Sequence, residues 1–180
     1  MKKSPLLVQN NLDCLLVSPP SKFSRYPYLG LCNIASVLRQ RGIRVAILDC
    51  AAWKLTEIET VKLISAAKPM IIGISVMSLD LVHAYPIIQG LKTIYPQGII
   101  VVGGSHINAD PGIIQAMGVE YGFWGESDLV FADFCEQMIA NRQPDSLPGL
   151  ILHREGKVVT QAPTIIEDLD QLPDPAYDLV

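Results

Sequence analysis

Basic residues are scarce in this chain. Its 180 residues carry 14 Lys and Arg against 18 Asp and Glu, a net charge of -4. A nucleic-acid surface needs a basic face to neutralise phosphates, so that class of function is excluded. Long apolar runs are missing too: none approaches the roughly 20 residues of a membrane span. The start, Met1-Lys-Lys-Ser-Pro-Leu-Leu-Val-Gln-Asn10, has a basic tip but too short an apolar run for a secretory signal. A cytoplasmic protein is expected. Cysteine is limited to Cys14, Cys32, Cys50 and Cys135. None is paired at metal-ligand spacing, which argues against zinc ribbons and thioredoxin-like chemistry. The four read as small buried hydrophobes in a reducing compartment.

What the chain does have is apolar content, 49% hydrophobic against 18% charged, enough for one domain with a sizeable core and a short tail. Its organising stretch is Gly98-Ile-Ile-Val-Val-Gly-Gly-Ser-His106. The apolar run reads as a strand buried on both faces, and Gly103-Gly104 ends it abruptly. Similar strands are expected over residues 12–17, 44–48, 70–75 and 119–124. Between them fall helical periodicities. Leu31, Ile34, Ala35 and Leu38 lie at helical spacing, and Gly42 is a stop. A second helix, capped by Thr56, buries Ile58, Val61 and Ile64. A third carries Ile87, Leu91 and Ile94, with Asp80 as a candidate cap and Pro86 forcing a kink or a later start. A short helix is expected over about 110–117. A fifth, capped by Ser127, presents Phe131, Phe134, Cys135 and Met138.

Strands that alternate with helices need crossovers, hence a parallel sheet. The expected fold is α/β and Rossmann-like: five parallel strands in the flavodoxin-like order 2-1-3-4-5, helices on both faces, and a topological switch between strands one and three. A C-terminal β-hairpin turns near Glu155-Gly156. Residues 162–180, proline-rich and without sustained period, form a linker or a strap over the surface. The expected divisions are a tail at 1–11, an α/β body at 12–142, and a hairpin and linker at 143–180 that leads toward a further domain.

Ligands in such sheets bind outside the carboxyl ends of the strands. Those ends are Ser18-Pro19-Pro20, Ser75-Val76-Met77-Ser78, Gly103-Gly104-Ser105-His106 and Gly125-Glu126-Ser127. They offer hydroxyls, bare amides and an apolar methionine, a mixture suited to a large, mostly uncharged ligand with amide edges. Nucleotide sites fit poorly. A dinucleotide fold needs Gly-x-Gly-x-x-Gly after the first strand, and here that loop has no glycine before Gly30. A P-loop is absent for the same reason. A phospho-receiver domain needs Asp at the end of strand three, where Ser75 stands, and the proline-aromatic loop is unlike a flavin-phosphate loop.

Pro19-Pro20, Tyr28-Leu-Gly-Leu31, Gly-Ile-Ser-Val-Met77, Val-Val-Gly-Gly-Ser-His106, Trp-Gly-Glu126 and the Gly149-Leu-Ile hairpin follow one another in an order that resembles the cobalamin-binding domain of B12-dependent radical SAM proteins. The ending, Asp170-Gln-Leu-Pro-Asp-Pro-Ala-Tyr-Asp-Leu179, is similar to the link into their catalytic barrel. The resemblance spans about residues 12–180. It implies cobalamin as cofactor, held through Pro19, Tyr28, Leu29, Gly30, Ser75, Met77, Gly103, Gly104, Ser105, His106, Gly125 and Glu126. Two departures matter. The Cys-x-x-x-Cys-x-x-Cys signature is absent, so S-adenosylmethionine and the 4Fe-4S cluster would belong to a missing C-terminal part. The Asp-x-His-x-x-Gly motif is absent too, which implies base-off binding without a protein histidine on cobalt. The nucleotide tail would lie in a groove beside strands one and three, where Gly73, Gly103 and Gly104 allow close approach. The activity implied for the parent is methyl transfer to an unactivated carbon or phosphorus, although other members carry out ring formation or rearrangement. This chain alone would bind and not catalyse.

Several residues keep competing readings. His106 is a cobalt ligand, a partner to the corrin edge, or a loop histidine satisfied by backbone. His83 is expected on the surface or in a cap, and His153 in the hairpin. Glu126 is a general acid or base, or a brace that accepts backbone N–H groups at a helix start. Trp124 stacks on a ligand or packs at the rim. Asp13 and Asp49 bracket strands at opposite ends, which rejects a metal pair. A flavodoxin-like sensor or interaction module without corrinoid is the alternative function, followed by a nucleotide-cofactor enzyme.

Overall fold

Strands form where the chain is continuously apolar. Cys14–Ser18 (β1), Val45–Asp49 (β2), Ile71–Ser75 (β3) and Ile99–Gly103 (β4) are almost wholly buried, as strands covered on both faces must be. The structure is a computed structural model that describes residues 11–22 and 28–180. The expected tail, apart from Asn11, and the middle of the loop after β1 lie outside the described residues. With Tyr121–Phe123 (β5), these strands form a parallel array in the order β2-β1-β3-β4-β5, the expected flavodoxin-like order with its switch between β1 and β3.

The sheet is wider than the five strands expected. Leu150–Arg154 (β6) pairs antiparallel with β5, and Lys157–Thr160 (β7) pairs with β6, which makes a seven-stranded sheet among the described residues. The expected hairpin is there and turns at Glu155 and Gly156, both at positive φ. It extends the main sheet because β5 would otherwise leave an edge of unpaired N–H and C=O groups.

The helices are Leu29–Gln40 (α1), Glu57–Ala67 (α2), Leu81–Ile94 (α3), Ser105–Ala109 (α4), Ile113–Met117 (α5) and Val130–Ile139 (α6). Thr56 closes a capping box with Glu59 at the start of α2, worth about 1 kcal/mol. Ile58, expected in the buried stripe of α2, is instead 68% exposed, while Val61 and Ile64 are buried. The short helix expected over 110–117 is two helices. The chain turns so sharply at Gly104 that α4 begins at once, and the Asp110 side chain then accepts from Gly112 N at 3.1 Å and separates α4 from α5. Pro86 lies inside α3, which begins at Leu81. Asp80 does not cap α3 through its side chain; it accepts a hydrogen bond from Tyr28 instead. Ser127 gives its carbonyl to Phe131 N, and α6 begins at Val130.

The sheet divides the core in two. One half, with Leu15, Ile72, Ile87 and Leu91, lies under α2 and α3; the other, with Leu16, Leu38, Phe131 and Phe134, lies under α1 and α6. All four cysteines are free and buried, and burial pushes the Cys50 thiol up to about 12. After β7 the chain crosses the α1 side as a strap. Ser36 Oγ donates to Pro173 O at 3.4 Å, Ala176 N donates to Cys32 O at 3.1 Å, and Arg39 pairs with Asp178 at 2.8 Å. No described helix is long and apolar enough to cross a membrane.

Candidate functional site

Register places Leu16, Gly73, Val101 and Tyr121 in one row across β1, β3, β4 and β5, on the face under α1 and α6. One step toward the carboxyl ends, Ser75 and Gly103 are neighbours. Glycine and serine at these positions project too little to fill the space beneath the helices. A cavity of about 340 Å³ results, at the lower end of the ~300–1,000 Å³ usual for small-molecule sites. Tyr28, Gly30, Leu31 and Ile34 of the α1 region wall one side, and Ser127, Asp128 and Phe131 of the α6 entry wall another. Gly104, Ser105, Asn108, Gly125 and Glu126 line its mouth.

The glycines divide by role. A Cβ on Gly103 would meet only Phe123 O, at 3.7 Å, so the rest of its surroundings are open. A Cβ on Gly73 would fall 2.9 Å from Leu16 Cδ2 and 3.3 Å from the Phe131 ring, which marks the closed floor. Gly104 has φ +101°, and a Cβ there would strike Val76 O at 2.8 Å, so the turn off β4 requires glycine. In the cavity wall, Phe123 and Phe131 meet edge-to-face at 5.8 Å, and Phe131 stacks on Phe134 at 5.9 Å.

Polar groups converge from the β5 side. Asn108 Oδ1 accepts from Gly125 N at 3.0 Å, and Glu126 Oε2 accepts from Ile166 N of the strap at 2.6 Å. The bracing role considered for Glu126 is therefore realised on the strap. Burial raises the pKa of Asp128, its own backbone lowers it in part, the neighbouring Glu126 charge raises it further, and Asn33 of α1 lowers it. Tyr28 OH donates to buried Asp80 at 3.0 Å and so ties the mouth of α1 to the start of α3. Ser18 Oγ, on the cavity face at the end of β1, is buried without a hydrogen-bond partner.

Of the residues expected to bind a cofactor, Tyr28, Gly30, Ser75, Gly103, Gly104, Ser105, Gly125 and Glu126 line one cavity. Pro19, Leu29, Met77 and His106 do not. Leu29 and Met77 are exposed, at 51% and 37%. His106 lies in α4 with Nδ1 3.1 Å from Ser78 Oγ. The other histidines also have partners: His83 Nδ1 lies 2.5 Å from Glu57 Oε1, and His153 Nδ1 lies 3.3 Å from Val119 O. Trp124 Nε1 donates to Gln161 O, and the ring packs against the core. Sequence reasoning missed Ile34, Asn108, Asp128, Phe123 and Phe131 as lining residues. Phe131 carried a signal, its place on the apolar face of its helix, but periodicity cannot say that part of that face borders a void. No group of His, Cys, Asp and Glu suited to a metal ion occurs among the described residues, and Asp13 is engaged by Arg44.

Comparison with known proteins shows the family to which the chain belongs. Residues 23–134, more than half of the chain, match the B12 binding domain family. The chain belongs to the B12-binding domain family. Its cofactor is cobalamin, as the sequence led us to expect. An uncharacterized methyltransferase of Pyrococcus horikoshii is 29% identical over 94% of the chain, and the chain spans only 39% of that relative. Among solved structures, the cobalamin-dependent S-adenosylmethionine radical enzyme OxsB with aqua-cobalamin bound superposes with a TM-score of 0.80 at 18% identity; it covers 93% of the B12-binding chain, which spans 24% of OxsB. The radical S-adenosylmethionine methyltransferase TsrM of Kitasatospora setae, with cobalamin and a [4Fe-4S] cluster, gives 0.73 at 19% identity, with coverages of 91% and 31%. These structures share the fold of the B12-binding domain. The lining suits such a ligand: its apolar and aromatic walls match a flat apolar group, and open Gly103 admits close approach.

Proposed function

We propose that this domain holds cobalamin base-off, with the nucleotide base in the cavity above Gly73 and the macrocycle on the loops at the strand ends. The observation that carries this reading is a largely apolar cavity, walled by Leu16, Ile34, Phe123 and Phe131, with no histidine among its described lining residues. The loop after β1, residues 19–28, contains no histidine either. In this reading Gly103 and Gly30 leave room for the base, Ser75 and Ser105 donate to phosphate or ribose oxygens, and Tyr28, fixed by Asp80, packs under the macrocycle. Pro19, Leu29, Met77 and His106 border the rim, outside the slot. When bound, cobalamin supplies a cobalt centre able to carry a methyl group. The residues present bind it and orient it.

We further propose that residues 12–142 form the binding body and 143–180 the hairpin and linker of a longer cytoplasmic enzyme. Its radical SAM domain, with S-adenosylmethionine and a 4Fe-4S cluster, lies beyond this chain, and methyl transfer is its reaction. The names of the relatives and the four buried thiols, suited to a reducing compartment, support this. The test is to mix the chain with hydroxocobalamin, desalt, and record the absorbance. Retained corrinoid bands are expected; complete loss of colour would favour the sensor or interaction module instead. Reduction to the cob(II)alamin form and electron paramagnetic resonance then reads the axial ligand. No nitrogen splitting is expected, and a strong single-nitrogen splitting would refute the absence of an axial nitrogen ligand. In the gene past Val180, no Cys-x-x-x-Cys-x-x-Cys within a few tens of codons would remove the radical SAM part.

A further inference from the structure

The cavity is electrically lopsided. Two carboxylates, Glu126 and Asp128, line its β5 side, and no Lys, Arg or His is among its described lining residues. Hydroxyls and bare backbone, from Ser75, Gly103, Gly104 and Ser105, line its β3–β4 side. Glu126 is held in place because one of its oxygens accepts from Ile166 N at 2.6 Å, and its other oxygen is a further acceptor. Asp128 is half-buried, and the Glu126 charge acts on it directly. Two such acceptors welcome a ligand edge that donates N–H. Glu126 is exposed at the mouth, so a third carboxylate beside the two would chiefly meet like charge, which discriminates between partners.

We infer that Glu126 and Asp128 are specificity-determining residues that select a corrinoid whose peripheral groups are neutral amides and reject one in which a neighbouring amide has been hydrolysed to a carboxylate. This rests on the cobalamin reading of the cavity and adds which chemical form of the ligand is accepted. The amide donates N–H to a carboxylate oxygen on the β5 side. The acid form at neutral pH has no proton to donate and brings a negative charge in its place.

The test compares the 180-residue chain with its Glu126→Gln/Asp128→Asn variant, and with Asp128→Asn alone should the double variant fold poorly by far-ultraviolet dichroism. Both are titrated at neutral pH with cobalamin and with its separated monocarboxylic acid isomers, and binding is read by absorbance. For at least one isomer the parent chain is expected to favour cobalamin by at least about tenfold, and the variants to bring that ratio toward one. A parent chain without preference for any isomer overturns the inference, as does a preference that survives both neutral substitutions. If the parent chain retains no cobalamin at all, the functional reading itself has failed, an outcome distinct from equal retention of both forms.

Discussion

At the scale of single residues, neighbouring glycines in this site do different work, and substitution separates them. Gly103 has open space where a side chain would go, so Gly103→Val enters the cavity without striking the backbone. It is expected to weaken cobalamin binding ~10- to 100-fold, the cost of overfilling a packed site by ~1–3 kcal/mol, while the unfolding midpoint changes little. Titration and denaturant unfolding of the same variant check both halves. Gly104→Ala, by contrast, adds a Cβ at φ +101° against Val76 O, and should lower stability by about 1–3 kcal/mol. Asp128 gives a pH-dependent prediction. Its folded pKa is raised, so its charged form is disfavoured in the native state. Asp128→Asn should therefore raise the melting temperature at neutral pH. That gain should fade as pH falls through the raised folded value and vanish below the ordinary carboxylate range, where both states bind the proton. A gain that persisted at pH 3 would contradict the assignment.

At the scale of elements, helix starts decide where the functional side chains stand. The α2 capping box makes Thr56→Ala a clean probe: about 1 kcal/mol lost in denaturant unfolding, with an unchanged m-value. The starts of α1 and α3 are joined by Tyr28 OH on Asp80, which is 3% exposed. Tyr28→Phe takes the donor from a buried carboxylate and should cost about 1–3 kcal/mol. The reciprocal bond to the Glu59 side chain came from the structure, but the Thr56 cap was legible, because a threonine before an apolar stripe is a local signal. The Tyr28–Asp80 bond was not, because it spans 52 positions. Asp80 read locally as a cap for α3 was the same residue with its long-range partner unseen.

At the scale of the molecule, the strap and the hairpin close what the parallel sheet leaves open. β6 and β7 cover the edge of β5, and the strap runs from Glu126 at the cavity mouth to Cys32 and Arg39 on α1. The Arg39–Asp178 pair is exposed and worth little; the buried Ala176 and its hydrogen bond seat the strap. A ligand that binds only the folded form stabilises it by mass action. Hydroxocobalamin at 100 times its Kd should therefore add about 2.7 kcal/mol to unfolding. Hydrogen exchange should slow at the Ile166 amide, which Glu126 holds. A melting temperature indifferent to cobalamin would argue against specific binding to the native fold.

The sequence by itself determined the strands and the order of the five parallel ones, which follow from continuous apolar runs, turn residues at their ends and crossovers that allow few topologies; the class of ligand came from the resemblance that its motifs carry. Only the tertiary structure decided that Gly73, Ser75 and Gly103 stand side by side on one face, and that Phe123 and Phe131 come to wall the space they leave. It also decided that Asp128 joins Glu126 there, while Met77 and His106 fall outside. The physical reason is that a cavity is a failure of distant segments to fill shared volume, and no local pattern in the chain records which side chains will be absent from a place.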